Sequence, residues 1–162
     1  MEGKTGLIMG VANERSIAWG IANQLFLNKA NIVLTYQNDG LKKRIELLSD
    51  KIKCKNLYKC DVSLDPEDEY SIENLIKNIH KDVGNLDFVV HALAYSNKEE
   101  LKGKYIDTSR QNFLSTLDIS TYSFTRVAKC ASKIMKNGGS FLTLTYVGSN
   151  KTTPNYNVMG VA

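Results

Sequence analysis

Two tyrosines, Tyr146 and Tyr156, and a sparse glycine loop, Gly10-Val11-Ala12-Asn13-Glu14-Arg15-Ser16-Ile17-Ala18-Trp19-Gly20, are the parts of this chain whose residue types could do chemistry. A phenol with a pKa of about 10 is a poor acid at neutral pH and needs a nearby ammonium to act as one. A lysine four residues after a tyrosine would share its helix face. Those places hold Asn150 and Gly160, so that pairing is absent. Either tyrosine taken alone reads as a core residue near a strand end. The loop follows an apolar run, where a dinucleotide fingerprint would read G-x-G-x-x-G; only Gly10 and Gly20 keep a glycine pattern. Its physics still suits an anion. Gly10 permits a tight turn. Ser16 can cap the helix or meet a phosphate at the helix start, where N–H groups and the dipole favour negative charge. Gly20 would let helix and strand approach closely. An ordinary β-α turn with a helix cap fits the same residues.

Further candidates lie at the ends of apolar runs. Gln37, with Asp39 two residues on, stands where a dinucleotide fold places an acidic residue for the ribose 2′-hydroxyl. No arginine is expected near it to receive a 2′-phosphate, although Lys42 and Lys43 are within reach in sequence. Asp61 follows the third run and is followed by Val62. Asp61 could equally cap a helix over 65–83, as could Ser63. His91 ends a fourth run and reads as a structural histidine before an acid–base one. Leu93, Ala94 and Ser96 follow it.

The elements that must position these residues alternate plainly. Strands are expected over Thr5–Met9, Ile32–Tyr36, Leu57–Cys60, Leu86–His91 and Ser140–Tyr146, each short and apolar as strands buried on both faces are. Helices are expected over Ile17–Leu27, Leu41–Ile52, Asp65–Val83 and Ser109–Met135. Pro66 suits a first helical turn, and Asn137-Gly138-Gly139 is a stop signal. Repeated β-α units with right-handed crossovers mean an α/β, doubly wound, Rossmann-like parallel sheet. At 162 residues one dinucleotide-binding domain, 1–162, is expected.

Composition excludes several classes. The chain is 43% apolar and 23% charged, with a net charge of +4 spread along its length. No basic run alternates with aromatics, so nucleic acid is not an expected partner. No apolar run reaches the ~20 residues that span a bilayer, and no signal peptide is read, which places the protein in the cytoplasm. Cys54, Cys60 and Cys130 form no C-x-x-C pair and have no histidine at zinc spacing; reduced, packed thiols and no metal are expected.

The loop G-x5-S-I-A-x-G, in Gly10, Ser16, Ile17, Ala18 and Gly20, resembles that of bacterial enoyl-acyl-carrier-protein reductases, a divergent branch of the short-chain dehydrogenase/reductases. So do Thr35-Tyr36-Gln37-Asn38, Cys60-Asp61-Val62, Asp118-Ile119-Ser120-Thr121-Tyr122-Ser123-Phe124 and, most specifically, Pro154-Asn155-Tyr156-Asn157-Val158-Met159-Gly160. The resemblance runs from Gly6 to Ala162. Ala94 departs from it, because many relatives carry glycine there and alanine resists positive φ.

The resemblance implies NADH as cofactor, bound by Gly10, Ser16, Ile17, Gln37, Asp61, Val62, Leu93 and Ala94. Ser96 would face substrate. Tyr156 is the expected donor to the thioester oxygen of an enoyl-acyl-carrier-protein, with Tyr146 in support. It further implies a homotetramer built on the segment 109–135. The family pairs its tyrosine with a lysine as Tyr-x6-Lys, two helical turns apart, and that lysine would follow Ala162. Five of an expected seven strands are present, so a longer natural protein is expected and 1–162 alone should be inactive. The alternatives are a short-chain reductase of a carbonyl or alcohol, and a non-catalytic dinucleotide-binding module.

Overall fold

A computed structural model describes the whole chain, Met1–Ala162. The order is β1 (Thr5–Met9), α1 (Ile17–Leu27), β2 (Asn31–Tyr36), α2 (Asp39–Lys51), β3 (Asn56–Lys59), α3 (Ile72–Asp82), β4 (Phe88–His91), α4 (Arg110–Leu117), α5 (Ser123–Ala131) and β5 (Ser140–Thr143). The five strands form one parallel sheet in the order β3-β2-β1-β4-β5. The succession of strands therefore reverses its outward progression between β1 and β4, while all strands stay parallel; such sheets open a crevice at their carboxyl ends at this place. Gly6 to Met9 pair with Phe88 to His91 across that seam.

Alternation along the strands builds two cores. Leu7, Met9, Val33 and Val89 face α3 and α5, packing with Ile72, Leu75, Ile79, Val127 and Ala131. Ile8, Ile32, Leu34, Phe88 and Val90 face α1 and α2, packing with Ala18, Ala22, Ile45 and Leu48. Both faces are covered, which is why the strands carry almost unbroken apolar runs. Gly20 does not mediate the close approach of α1 to the sheet. It is exposed, and a Cβ there would meet nothing within 4 Å; Ala18 and Ala22, 1% and 0% exposed, make the approach instead.

Three expected elements differ. The helix before β4 starts at Ile72, not near residue 65. Pro66 lies in a preceding loop, where its carbonyl accepts from Ser71 Oγ at 3.1 Å. Ser71, not Asp61 or Ser63, caps α3 by accepting from Asn74 N at 3.3 Å. The long helix is broken by a π-turn at Asp118–Tyr122 between α4 and α5. Ser123 Oγ donates to Ile119 O at 2.6 Å there, a side-chain bond that competes with the helical ladder. Finally, β5 stops at Thr143, leaving Leu144–Tyr146 outside the ladder.

Candidate functional site

The carboxyl ends of β1 to β4 enclose a cleft of about 330 Å³. Its walls are Met9–Ala12 after β1, Thr35–Gln37 at the end of β2, Cys60–Val62 after β3 and Ala92–Tyr95 after β4, closed by Leu41 and Ile119. Six of the residues singled out in the sequence meet here: Gly10, Gln37, Asp61, Val62, Leu93 and Ala94.

Gly10 has φ +99°, and a Cβ on it would lie 2.0 Å from the carbonyl oxygen of Ala92. The two chain segments leaving β1 and β4 touch at this point, and only glycine fits. Ala94 departs from the family without strain, since it does not adopt positive φ in this structure.

At the other end of the cleft, Gln37 Nε2 donates to Asp61 Oδ2 at 3.0 Å. Asp61 Oδ1 accepts from the backbone N of Ser63 at 3.0 Å and from its hydroxyl at 2.7 Å. Burial pushes the Asp61 carboxyl up, but the Ser63 and Gln37 donors outweigh it and hold the group below the usual carboxylate range. An ionised carboxylate therefore stands beside an amide, a pair suited to hydroxyls and hostile to a second anion. Burial, followed by the negative Asp61, pushes the neighbouring Cys60 thiol up to about 12, so it is an inert wall.

Ser16 and Ile17 do not line the cleft; they stand at the start of α1. Ser16 makes no side-chain cap to that helix. Its hydroxyl donates to Asn13 O at 2.5 Å and accepts from Ala12 N at 3.3 Å, which shapes the loop instead. Trp19 N and Gly20 N bond to Ser16 O, while Ile17 and Ala18 keep the free N–H groups of a helix start. Ser96 also lies outside the cleft. Thr116 Oγ1 donates to its hydroxyl at 2.9 Å, and Asn112 Nδ2 does so at 3.2 Å. These bonds fasten the strand-following segment to α4.

An arginine does stand near the cofactor end, against expectation. Arg44 Nη1 reaches Ala12 O at 3.5 Å from α2, folding back over the glycine loop in a way that strand–helix spacing does not reveal. Among the other lining residues, Thr35, Cys60, Tyr95 and Ile119 have no site role assigned from the sequence. Ile119 reaches the cleft from the π-turn, a feature with no sequence signal of its own.

His91 is buried at 1% exposure. Its Nε2 lies 2.8 Å from Ser123 Oγ. Because that hydroxyl already donates to Ile119 O, the imidazole Nε2–H must be the donor, and Nδ1 has no partner. Burial lowers its pKa, so it is neutral. It ties β4 to the π-turn and is structural.

Tyr146 and Tyr156 come together, their ring centroids 5.0 Å apart at 57°. They do not line the cleft; Tyr156 lines a separate hollow with Tyr105, Gly148 and Asn157. Burial, and then the nearby Tyr146, raise the Tyr156 pKa, so its hydroxyl keeps its proton at neutral pH. The segment after it is not the expected α-helix. Asn157–Gly160 form a 3-10 turn, with Asn155 and Asn157 at φ 57° and 36°. Left-handed backbone at both asparagines blocks a regular helix, and Asn157 Nδ2 instead donates to Glu100 O and Lys102 O, both at 3.1 Å.

Comparison with known proteins matches residues 10–162 to the family model described as enoyl-(acyl carrier protein) reductase. The chain is 53% identical, over all its 162 residues, to enoyl-[acyl-carrier-protein] reductase [NADH] 1 of Rhizobium meliloti (strain 1021), covering 58% of that protein. It is 44% identical to the NADH enoyl-[acyl-carrier-protein] reductase of Rickettsia typhi, covering 60% of it. Among solved structures, the Anaplasma phagocytophilum enoyl-(acyl-carrier-protein) reductase in complex with NAD superposes with a TM-score of 0.93 at 50% identity, over 99% of this chain and 60% of that one. The chain thus spans about 60% of the length of the relatives it matches. On sequence and fold together, the chain belongs to the enoyl-(acyl carrier protein) reductase family.

Proposed function

We propose that the protein carrying this chain reduces the trans-2 double bond of enoyl-acyl-carrier-protein thioesters with NADH, in the cytoplasm, as a step of fatty-acid elongation. The observation that supports this most is the cleft at the β1/β4 seam, where Gly10, Gln37, Asp61, Val62, Leu93 and Ala94 converge. Relatives of the same family are named as NADH enzymes. The absence of Cβ at Gly10 lets the segments that follow β1 and β4 meet at the floor of the cleft. Ser16 and Ile17 set the start of α1, whose free N–H groups favour anions. The Gln37 amide offers a donor and an acceptor to ribose hydroxyls, the ionised Asp61 carboxylate offers acceptors only, and Val62 gives an apolar wall.

NADH, when bound, supplies a hydride to the β-carbon of the enoyl thioester. Negative charge then grows on the thioester oxygen, and Tyr156, kept protonated, donates a hydrogen bond to it. Tyr146 packs on Tyr156 and supports the site or the acyl chain. Ser96 holds the segment after β4 against α4, and so positions the substrate side. The test is to follow NADH absorbance with a crotonyl thioester. No turnover with enoyl thioesters, alongside turnover of a ketone, would favour a carbonyl reductase instead.

Cofactor choice gives a second expected result. The ionised Asp61 beside Gln37 disfavours a 2′-phosphate, while Arg44 at the glycine loop works the other way. The carboxylate is the nearer to Gln37, at 3.0 Å, so NADH should bind at least about tenfold more tightly than NADPH, the scale of one unfavourable charge contact. Fluorescence titration giving equal affinities would contradict it.

Assembly is the third. The segment 109–135 leaves Leu114 and Tyr122 49% and 55% exposed, and a homotetramer built on it would cover them. Light scattering should give four copies; a monomer would refute this.

A further inference from the structure

Arg126 on α5 is the most heavily bonded cation in the molecule and has no part in the site described above. Its side chain is 11% exposed. Nη2 donates to Glu73 Oε2 at 2.7 Å and Nε to Glu73 Oε1 at 3.4 Å, a fork on one carboxylate of α3. Nη1 turns the other way and donates to two backbone carbonyls, Val62 O at 3.2 Å and Leu64 O at 3.0 Å.

Those carbonyls belong to the irregular stretch between β3 and α3. That stretch has no ladder to hold it once β3 ends at Lys59. Its first residues, Cys60, Asp61 and Val62, form one wall of the cleft. The lining also includes Ile119, which belongs to the same helical run as Arg126. One side chain thus fastens the Val62–Leu64 backbone to the helical run that also brings Ile119 to the cleft. Glu73 neutralises the charge and fixes the guanidinium plane, so that Nη1 has one direction to point.

We infer that Arg126 is a positioning residue for nucleotide binding: its Nη1 sets the Val62–Leu64 backbone against the cofactor cleft, with Glu73 orienting it. The inference rests on the reading of the cleft as the NADH site. Lysine in its place keeps the charge but has a single ammonium that cannot serve the carboxylate and both carbonyls at once. Glutamine in place of Glu73 keeps an oxygen that accepts from Nη2, so the guanidinium stays oriented and the Nη1 contacts remain while the charge pairing is lost.

The test uses the protein that carries this chain. NADH is titrated by fluorescence against wild type, Arg126→Lys, Arg126→Met and Glu73→Gln, with melting temperatures and steady-state kinetics on each. Arg126→Lys should raise both Kd and KM for NADH about tenfold, the effect of losing one charge-assisted hydrogen bond. Its kcat and its KM for the thioester should stay within about twofold. Glu73→Gln should lower the melting temperature as much as Arg126→Lys does, yet leave Kd for NADH within about twofold.

Equal weakening by both changes would show a general stability effect and overturn the inference. So would an unchanged Kd in Arg126→Lys, or a loss confined to kcat. If Arg126→Met does not fold, Arg126→Lys decides; if neither folds, the arginine is a stability element and the inference falls. A wild-type protein that binds no NADH would sink the reading of the cleft instead.

Discussion

Tyr156→Phe should lower turnover at least about a hundredfold while NADH affinity stays within about twofold, because a preorganised donor to a developing oxyanion contributes on the order of 3–4 kcal/mol to the transition state alone. The ring stays, so its packing against Tyr146 at 5.0 Å is kept. Only the hydroxyl goes. Its raised pKa means that it acts as a neutral donor across the physiological range, and rate should not rise with pH in the manner of a phenolate. The loss should appear in kcat and kcat/KM equally, as for a contact made only in the transition state. Tyr146→Phe, whose ring supports Tyr156, should cost much less. Steady-state assays with a crotonyl thioester decide the matter. Wild-type turnover in Tyr156→Phe, or an abolished NADH affinity, would show that the hydroxyl has another role.

Gly10→Ala should cost about 3 kcal/mol or more of stability, from two independent sources. A non-glycine residue at φ +99° carries strain of ~1–3 kcal/mol. The new Cβ would also sit 2.0 Å from the Ala92 carbonyl oxygen, a backbone atom that cannot swing away. Relief requires β1 and β4 to part at their ends, and overpacking of this kind costs a further ~1–3 kcal/mol. For a chain of this size the melting temperature should fall by about 10 °C, and NADH affinity should fall with it because the same seam forms the cleft floor. Gly20→Ala is the matched control. It lies in α1 with no atom within 4 Å of its new Cβ, so helix propensity should stabilise it by up to ~1 kcal/mol. A Gly10→Ala protein melting within about 2 °C of wild type would contradict the packing described.

Much of this molecule was legible before folding, and for a physical reason. Strand and helix periodicities are properties of neighbouring residues, so the β-α alternation, all five strands and the parallel sheet could be read from apolar spacing alone. Gly10 was legible because a turn at a strand end demands a residue without Cβ. The grouping of Gln37, Asp61 and Val62 was legible because a parallel sheet brings every strand's carboxyl end to one edge.

What tertiary structure alone decided depends on contacts between residues far apart in the chain. Pro66 promised a helix start, but Ser71 found Asn74 N, and α3 began later. Ser16 looked like a cap, yet its hydroxyl went to Asn13 O and left the α1 start open. The long helix carried no sign of its π-turn, which brings Ile119 to the cleft. Tyr156 and its successors were expected on a helix, whereas two asparagines in left-handed backbone turned them into a clasp on Glu100 and Lys102. No motif or spacing in the sequence singled out Arg126. Only the fold could bring Glu73 and the Val62 carbonyl to it, 53 and 64 residues away in sequence, and make it a strut of the cleft. Periodicity is set between residues a turn apart, but the partner of a polar side chain is set by which segments the sheet order makes neighbours.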